Sequence, residues 1–125
     1  MELTGGECLT HPGFSEIYTY LVQRGVRVAV LTNGQLISDE IVRLFQQYPP
    51  AMVQISVYGS SPEAYVKVTG RDAFQDVMDA ITKLKEAKIH LTLAVTPNRF
   101  MQEDAEPLLG LIHSFGLRYR IGSSL

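Results

Sequence analysis

Short apolar runs alternate along this chain with stretches of helical periodicity, and that alternation leaves few folds open. Val26–Leu31, Met52–Val57 and Ile89–Val95 are brief, rich in Val, Ile and Leu, and bounded by turn residues, which predicts strands. Glu2-Leu3-Thr4 reads as the end of an earlier strand and Leu117–Ile121 as the start of a later one. Between them, Phe14, Ile17, Tyr18, Leu21 and Val22 follow the spacing of one buried helix face, and Gly25 supplies a stop. The pattern recurs at Ile37, Ile41, Leu44, Phe45 and Tyr48, at Phe74, Val77, Met78, Ile81 and Leu84, and at Ala105, Leu108, Leu109, Ile112 and Phe115. Ser61-Pro62-Glu63 reads as an N-cap and first-turn proline opening a short helix to about Val68. The predicted order is β-α-β-α-β-α-α-β-α-β. Strands alternating with helices imply parallel pairing through right-handed crossovers. A partial α/β barrel and an open doubly wound sheet both satisfy this order.

Composition narrows the class. With 125 residues the chain makes one domain, residues 1–125. Hydrophobic residues at 46% against 19% charged support a packed core. The net charge of −2 speaks against a nucleic-acid surface. No apolar run approaches a membrane span, and the start resembles no secretion signal. The single cysteine, Cys8, forms no internal disulfide, in keeping with a reducing cytoplasm.

The polar groups gather at one end of the strands. Thr4, Thr32, Ser56 and Thr96 stand at or near strand C-termini, followed by Gly5-Gly6-Glu7, Asn33-Gly34, Tyr58-Gly59 and Pro97-Asn98. In parallel α/β proteins these ends share one rim, where ligands bind. Any single hydroxyl there is an ordinary turn former; together they point to a site. Gly5 and Gly6 let a ligand approach the backbone, and Glu7 can accept hydrogen bonds from an ammonium group. His11 reads as a turn or cap residue and His90 lies at the wrong rim for chemistry; His113 reads as interfacial. Lys83, Lys85, Glu86 and Lys88 read as solvated surface and Tyr58 as packing; Arg71 and Arg99 lie toward the active rim, where either could meet an anionic group, with surface solvation the default reading.

Thr4-Gly5-Gly6-Glu7, then Thr32-Asn33-Gly34, then Gln54-Ile55-Ser56-Val57-Tyr58-Gly59, in this order and at these intervals, resemble the radical S-adenosylmethionine superfamily. Glu63-Ala64-Tyr65 through Thr69-Gly70 and Phe74 are similar to its peptide- and cofactor-maturing branch, the pyrroloquinoline quinone maturation type with a C-terminal cysteine-rich extension. The resemblance implies a partial (β/α) barrel of parallel strands, lacking its first strand and the cluster-binding loop. It implies a parent enzyme that reductively cleaves S-adenosylmethionine to a 5'-deoxyadenosyl radical and modifies a peptide or small metabolite. Gly5, Gly6 and Glu7 match the segment that receives the methionyl amine; Thr32 and Ser56 sit where the family places contacts to nucleoside or carboxylate. Thr96 and Asn98 are carried over toward the adenine or ribose. The 4Fe–4S cluster of such enzymes needs three thiolates from a C-x3-C-x2-C loop, which this sequence does not contain, so the motif is expected upstream of Met1 and the chain alone is expected to bind no cluster and to be inactive. Cys8 departs from the family's usual proline and reads either as a contact to the cofactor site or as a small apolar filler, and no residue is assigned as catalytic or as a metal ligand.

Two other readings compete. One is a molybdopterin-biosynthesis type of the same superfamily. The other is a flavodoxin-like small-molecule-binding domain without a metal cluster, distinguishable by sheet shape. Exposed strand edges would also favour self-association.

Overall fold

The computed structural model describes residues 2–3, 8–95 and 104–121. Its elements are β1 (Glu2–Leu3), a 3-10 turn (Cys8–Thr10), α1 (Phe14–Gln23), β2 (Ala29–Thr32), α2 (Asp39–Gln47), β3 (Met52–Ser56), α3 (Pro62–Thr69), α4 (Phe74–Glu86), β4 (Leu91–Val95), α5 (Ala105–Ser114) and β5 (Arg118–Ile121). The expected order is observed, with the short 3-10 turn added.

The five strands form one sheet in the order β1-β2-β3-β4-β5, every pair parallel. Sequential order decides between the two architectures. A doubly wound sheet reverses direction at a switch point, as in the flavodoxin order 2-1-3-4-5. Here the order advances the same way at every crossover, and crossovers of the usual right hand then put the described helices on one face. That winding is the one a barrel uses. The flavodoxin-like alternative is therefore corrected: the sheet contains no reversal of order.

Register gives each face its residues. Val53 pairs with both Val30 and Leu91 on one face, and Ile55 pairs with both Thr32 and Leu93. All six are buried, and they join Phe14, Tyr18, Phe45, Tyr65, Val77, Ile81, Leu84, Leu108 and Ile112 of the helices in one core. The opposite face carries Ala29, Leu31, Met52, Gln54, Ser56, Thr92 and Ala94, all only half-buried. This is the inner face of the barrel wall.

Local chemistry sets the boundaries. Two strands start later than expected, for one reason. The Val26 N–H bonds to the Leu21 carbonyl (3.1 Å), and the Ile89 N–H to the Leu84 carbonyl (3.1 Å). Each closes a Schellman turn through a left-handed residue, Gly25 (φ 79°) and Lys88 (φ 61°). Val26 and Ile89 thus finish helices rather than begin strands. Ser38 and Ser61 cap α2 and α3, accepting from the N–H groups of Ile41 (3.2 Å) and Ala64 (3.1 Å). Ile17 and Leu109 were expected on buried faces but are 47% and 37% exposed; the buried stripes run through Phe14 and Tyr18 in α1 and Leu108 and Ile112 in α5.

Candidate functional site at the C-terminal rim of the sheet

Because β1 to β4 run parallel, their C-terminal ends face one way. Thr32 pairs with Ile55, so Ser56 stands one residue beyond it on the adjacent strand. The two hydroxyls reach the same rim but on opposite faces. Ser56 follows Gln54 on the half-buried inner face. Thr32 follows Val30 on the helix-packed face, is 4% exposed, and accepts from the Gly34 N–H at 3.0 Å. The Asn33 side chain accepts from the Gln35 N–H at 3.0 Å. Two overlapping polar turns thereby fold the strand end back. Gly34 is required there: its φ is 79°, and a Cβ would meet Ile55 Cγ2 at 3.1 Å.

The exit of β3 is held as tightly. The Val57 N–H bonds to the Ala94 carbonyl at 2.9 Å, extending the pairing past Ser56. The Tyr58 N–H donates to the Tyr65 hydroxyl at 3.1 Å. Burial pushes that hydroxyl up to about 12, only partly offset by the bond from Tyr58. A Cβ on Gly59 would come within 2.7 Å of the Ala64 Cβ, so only glycine lets the chain pass under α3. Ser60 then docks on Asp104, just before α5: its N–H donates to Oδ2 at 2.7 Å and its hydroxyl to Oδ1. One carboxylate thus ties the β3–α3 connection to the start of α5. This clamp joins residues 44 positions apart, and no local pattern announces it.

Gly5, Gly6, Glu7, Thr96 and Asn98, with Arg99, lie outside the described residues. His11 is a turn residue, its Nδ1 accepting from the Gly13 N–H at 3.0 Å. The His90 ring contacts the Ala51 carbonyl (2.9 Å) just before β3, at the opposite rim. His113 meets the Tyr119 hydroxyl at 3.0 Å. Tyr58 packs edge-on against Tyr65, and Arg71 is exposed. The lysine cluster is more engaged than plain solvated surface: Lys83 pairs with Asp39 at 3.2 Å, and Lys85 donates to the Phe115 carbonyl at 2.5 Å.

The sequence and the fold have counterparts among known proteins. Residues 1–112 match the Radical SAM superfamily. The chain belongs to that superfamily. Among curated members, the AdoMet-dependent heme synthase of Methanosarcina barkeri is 29% identical over 115 residues, covering 91% of this chain and 33% of that protein. The antilisterial bacteriocin subtilosin biosynthesis protein AlbA of Bacillus subtilis is 33% identical over 97 residues, covering 76% and 22% respectively. The fold is that of Streptococcus suis SuiB bound to S-adenosylmethionine: TM-score 0.84 at 12% identity, over 99% of this chain and 29% of SuiB. The same protein solved with its precursor peptide SuiA gives 0.85. The chain spans a third or less of the length of these curated relatives.

How well the residues fit the superfamily's two cofactors differs. A ribose or carboxylate needs hydroxyl or amide partners at a strand end, and the half-buried Ser56 offers a hydroxyl there, whereas the Thr32 hydroxyl is buried on the other face and engaged by the Gly34 N–H. The iron–sulfur cluster is not matched. The chain has one cysteine, and among the described residues no group of His, Cys, Asp or Glu is arranged to hold a metal ion. Among the described residues, no helix is long and apolar enough to cross a membrane.

Proposed function

We propose that this chain is the S-adenosylmethionine-binding core of an enzyme that performs radical hydrogen abstraction on a peptide or small metabolite. The observation that carries the reading is the sequentially ordered parallel sheet, which delivers the ends of β2 and β3 to one rim; the family's Gly-Gly-Glu segment in the sequence supports it. The peptide arm is supported by AlbA, named for bacteriocin biosynthesis, and by SuiB, solved with a precursor peptide; the heme synthase supports the small-metabolite arm.

When bound, S-adenosylmethionine with its reducing cluster supplies the radical chemistry. The residues of this chain bind and orient. Glu7, with the carbonyls of Gly5 and Gly6, accepts from the methionyl amine. Ser56 presents its hydroxyl from the inner face, and Thr32, buried on the helix side, braces the Asn33–Gly34 turn at the end of β2. Thr96 and Asn98 contribute from the end of β4. The three cluster thiolates come from outside these 125 residues, because Cys8 is the only cysteine here, so the chain alone is inactive.

Calorimetric titration with S-adenosylmethionine tests the assignment. Weak, saturable binding is expected, reduced about tenfold or more by Glu7→Gln, the loss of one charge-assisted contact. Equal affinity in wild type, Glu7→Gln and Ser56→Ala would remove the site from this rim. Anaerobic reconstitution with iron and sulfide is expected to leave the chain without a stoichiometric 4Fe–4S cluster; one cluster per chain would overturn that assignment.

A further inference from the structure

The last strand carries a cationic feature that the cofactor reading leaves unused. Leu93 of β4 is fully buried and pairs with Tyr119. The Tyr119 hydroxyl meets His113 of α5 at 3.0 Å, so Tyr119 points to the helix layer. Side chains alternate along a strand. Arg118 and Arg120 therefore project from the inner face, paired in register with Thr92 and Ala94. Both arginines are exposed. Among the described residues neither has an ion-pair or hydrogen-bond partner.

The register continues across the sheet. One row reads Leu31, Gln54, Thr92, Arg118; the next reads Ser56, Ala94, Arg120. Among the described residues of β2 to β5, no carboxylate shares this face. Arg118 and Arg120, whose backbones lie about 7 Å apart along the strand, thus stand beside neutral hydrogen-bonding side chains, with no described carboxylate on the neighbouring strands of this face. Between Arg120 and Ser56 lies only the methyl of Ala94, which leaves open space across a gap on the order of 10 Å between their backbones.

We propose that Arg118 and Arg120 form an oxyanion-recognition pair, which holds a carboxylate or phosphate of the substrate on the inner face with its reacting carbon toward Ser56. The inference rests on the radical-enzyme reading, since Ser56 marks the cofactor side. A guanidinium fork binds planar and tetrahedral oxyanions bidentately. Thr92 and Gln54 add neutral donors beside it. The substrate class is a molecule that is anionic close to its site of hydrogen loss, such as an acidic side chain of a peptide or a phosphorylated metabolite.

The test is an NMR titration of the 125-residue chain with inorganic phosphate and, in a parallel arm, with succinate, at constant ionic strength. Saturable shifts are expected at Thr92, Ala94, Arg118 and Arg120. The double variant Arg118→Gln/Arg120→Gln should weaken binding about tenfold or more, with its signal dispersion unchanged because both side chains are exposed. A charge-preserving Arg118→Lys/Arg120→Lys variant should recover only part of the affinity. The tighter arm identifies the oxyanion as phosphate or carboxylate. Shifts that do not saturate, that spread over the outer helices, or that persist in the Gln double variant would overturn the proposal. S-adenosylmethionine added to the same samples separates the two readings. The Gln double variant should bind it as the wild type does. Loss of that binding would show that the arginines serve the cofactor instead, whereas failure of the wild type to bind it would count against the cofactor reading while the anion result stands.

Discussion

Two buried tyrosines do more than fill the core. The Tyr18 hydroxyl donates to the Tyr48 carbonyl at 2.6 Å, tying α1 to the end of α2, and burial raises it far above an ordinary phenol. Tyr65 receives the Tyr58 N–H directly behind the β3 rim. Tyr65→Phe leaves that amide without its partner, at a cost of about 1–3 kcal/mol, measurable by urea unfolding. The same burial makes stability depend on alkaline pH. The Tyr65 hydroxyl ionises at about 12 in the folded chain against 10.0 ordinarily. A group with a raised folded value gives its full stabilisation below pH 10.0 and loses it as pH climbs toward 12. Unfolding midpoints should therefore fall across that window, and less steeply in Tyr65→Phe; parallel profiles would contradict the assignment. At this scale the hydroxyls of the rim were readable as a set, but their directions were not. Thr32 and Ser56 look equivalent as strand-ending hydroxyls, yet a one-residue offset in register sends them to opposite faces.

Each element ends by a local device, and these devices can be tested individually. The Ser61 cap and Pro62 were apparent from sequence because both act within one turn. Ser61→Ala should cost about 1 kcal/mol. The left-handed Lys88 was not apparent, since lysine carries no signature of that conformation. Lys88→Gly should stabilise the chain by about 0.5–1 kcal/mol by removing the Cβ clash at positive φ; a lower melting temperature in that variant would contradict this. The Ser60–Asp104 clamp acts between elements. Asp104→Ala should speed hydrogen exchange at the Ser60 amide by about tenfold or more, while amides in the middle of β3 stay protected.

At the scale of the molecule, the sheet has two open edges among the described residues. Among the described residues β1 pairs only with β2 and β5 only with β4. All four residues of β5 are exposed, with Tyr119 at 40% and Ile121 at 55%. An edge strand with exposed apolar side chains recruits a partner strand. Light scattering should show the chain associating as concentration rises, with Ile121→Lys shifting it toward monomer; a monomer at every concentration would refute this. The charged Arg118 and Arg120 on the other face disfavour stacking there, so association should proceed edge to edge.

By itself the sequence determined the alternation of elements, the parallel pairing it implies, and the caps and stops that punctuate the helices. Each of these follows from periodicity or from chemistry acting within a turn or two. It also placed hydroxyl residues at strand ends. Periodicity left the strand order open, and the observed sequential order bears out the partial barrel that the family resemblance implied; tertiary structure alone decided that Thr32 turns into the core while Ser56 turns inward, and that Asp104 reaches Ser60. These depend on which backbones become neighbours and in what register. Contacts between residues far apart in the chain set that, and no local pattern encodes it.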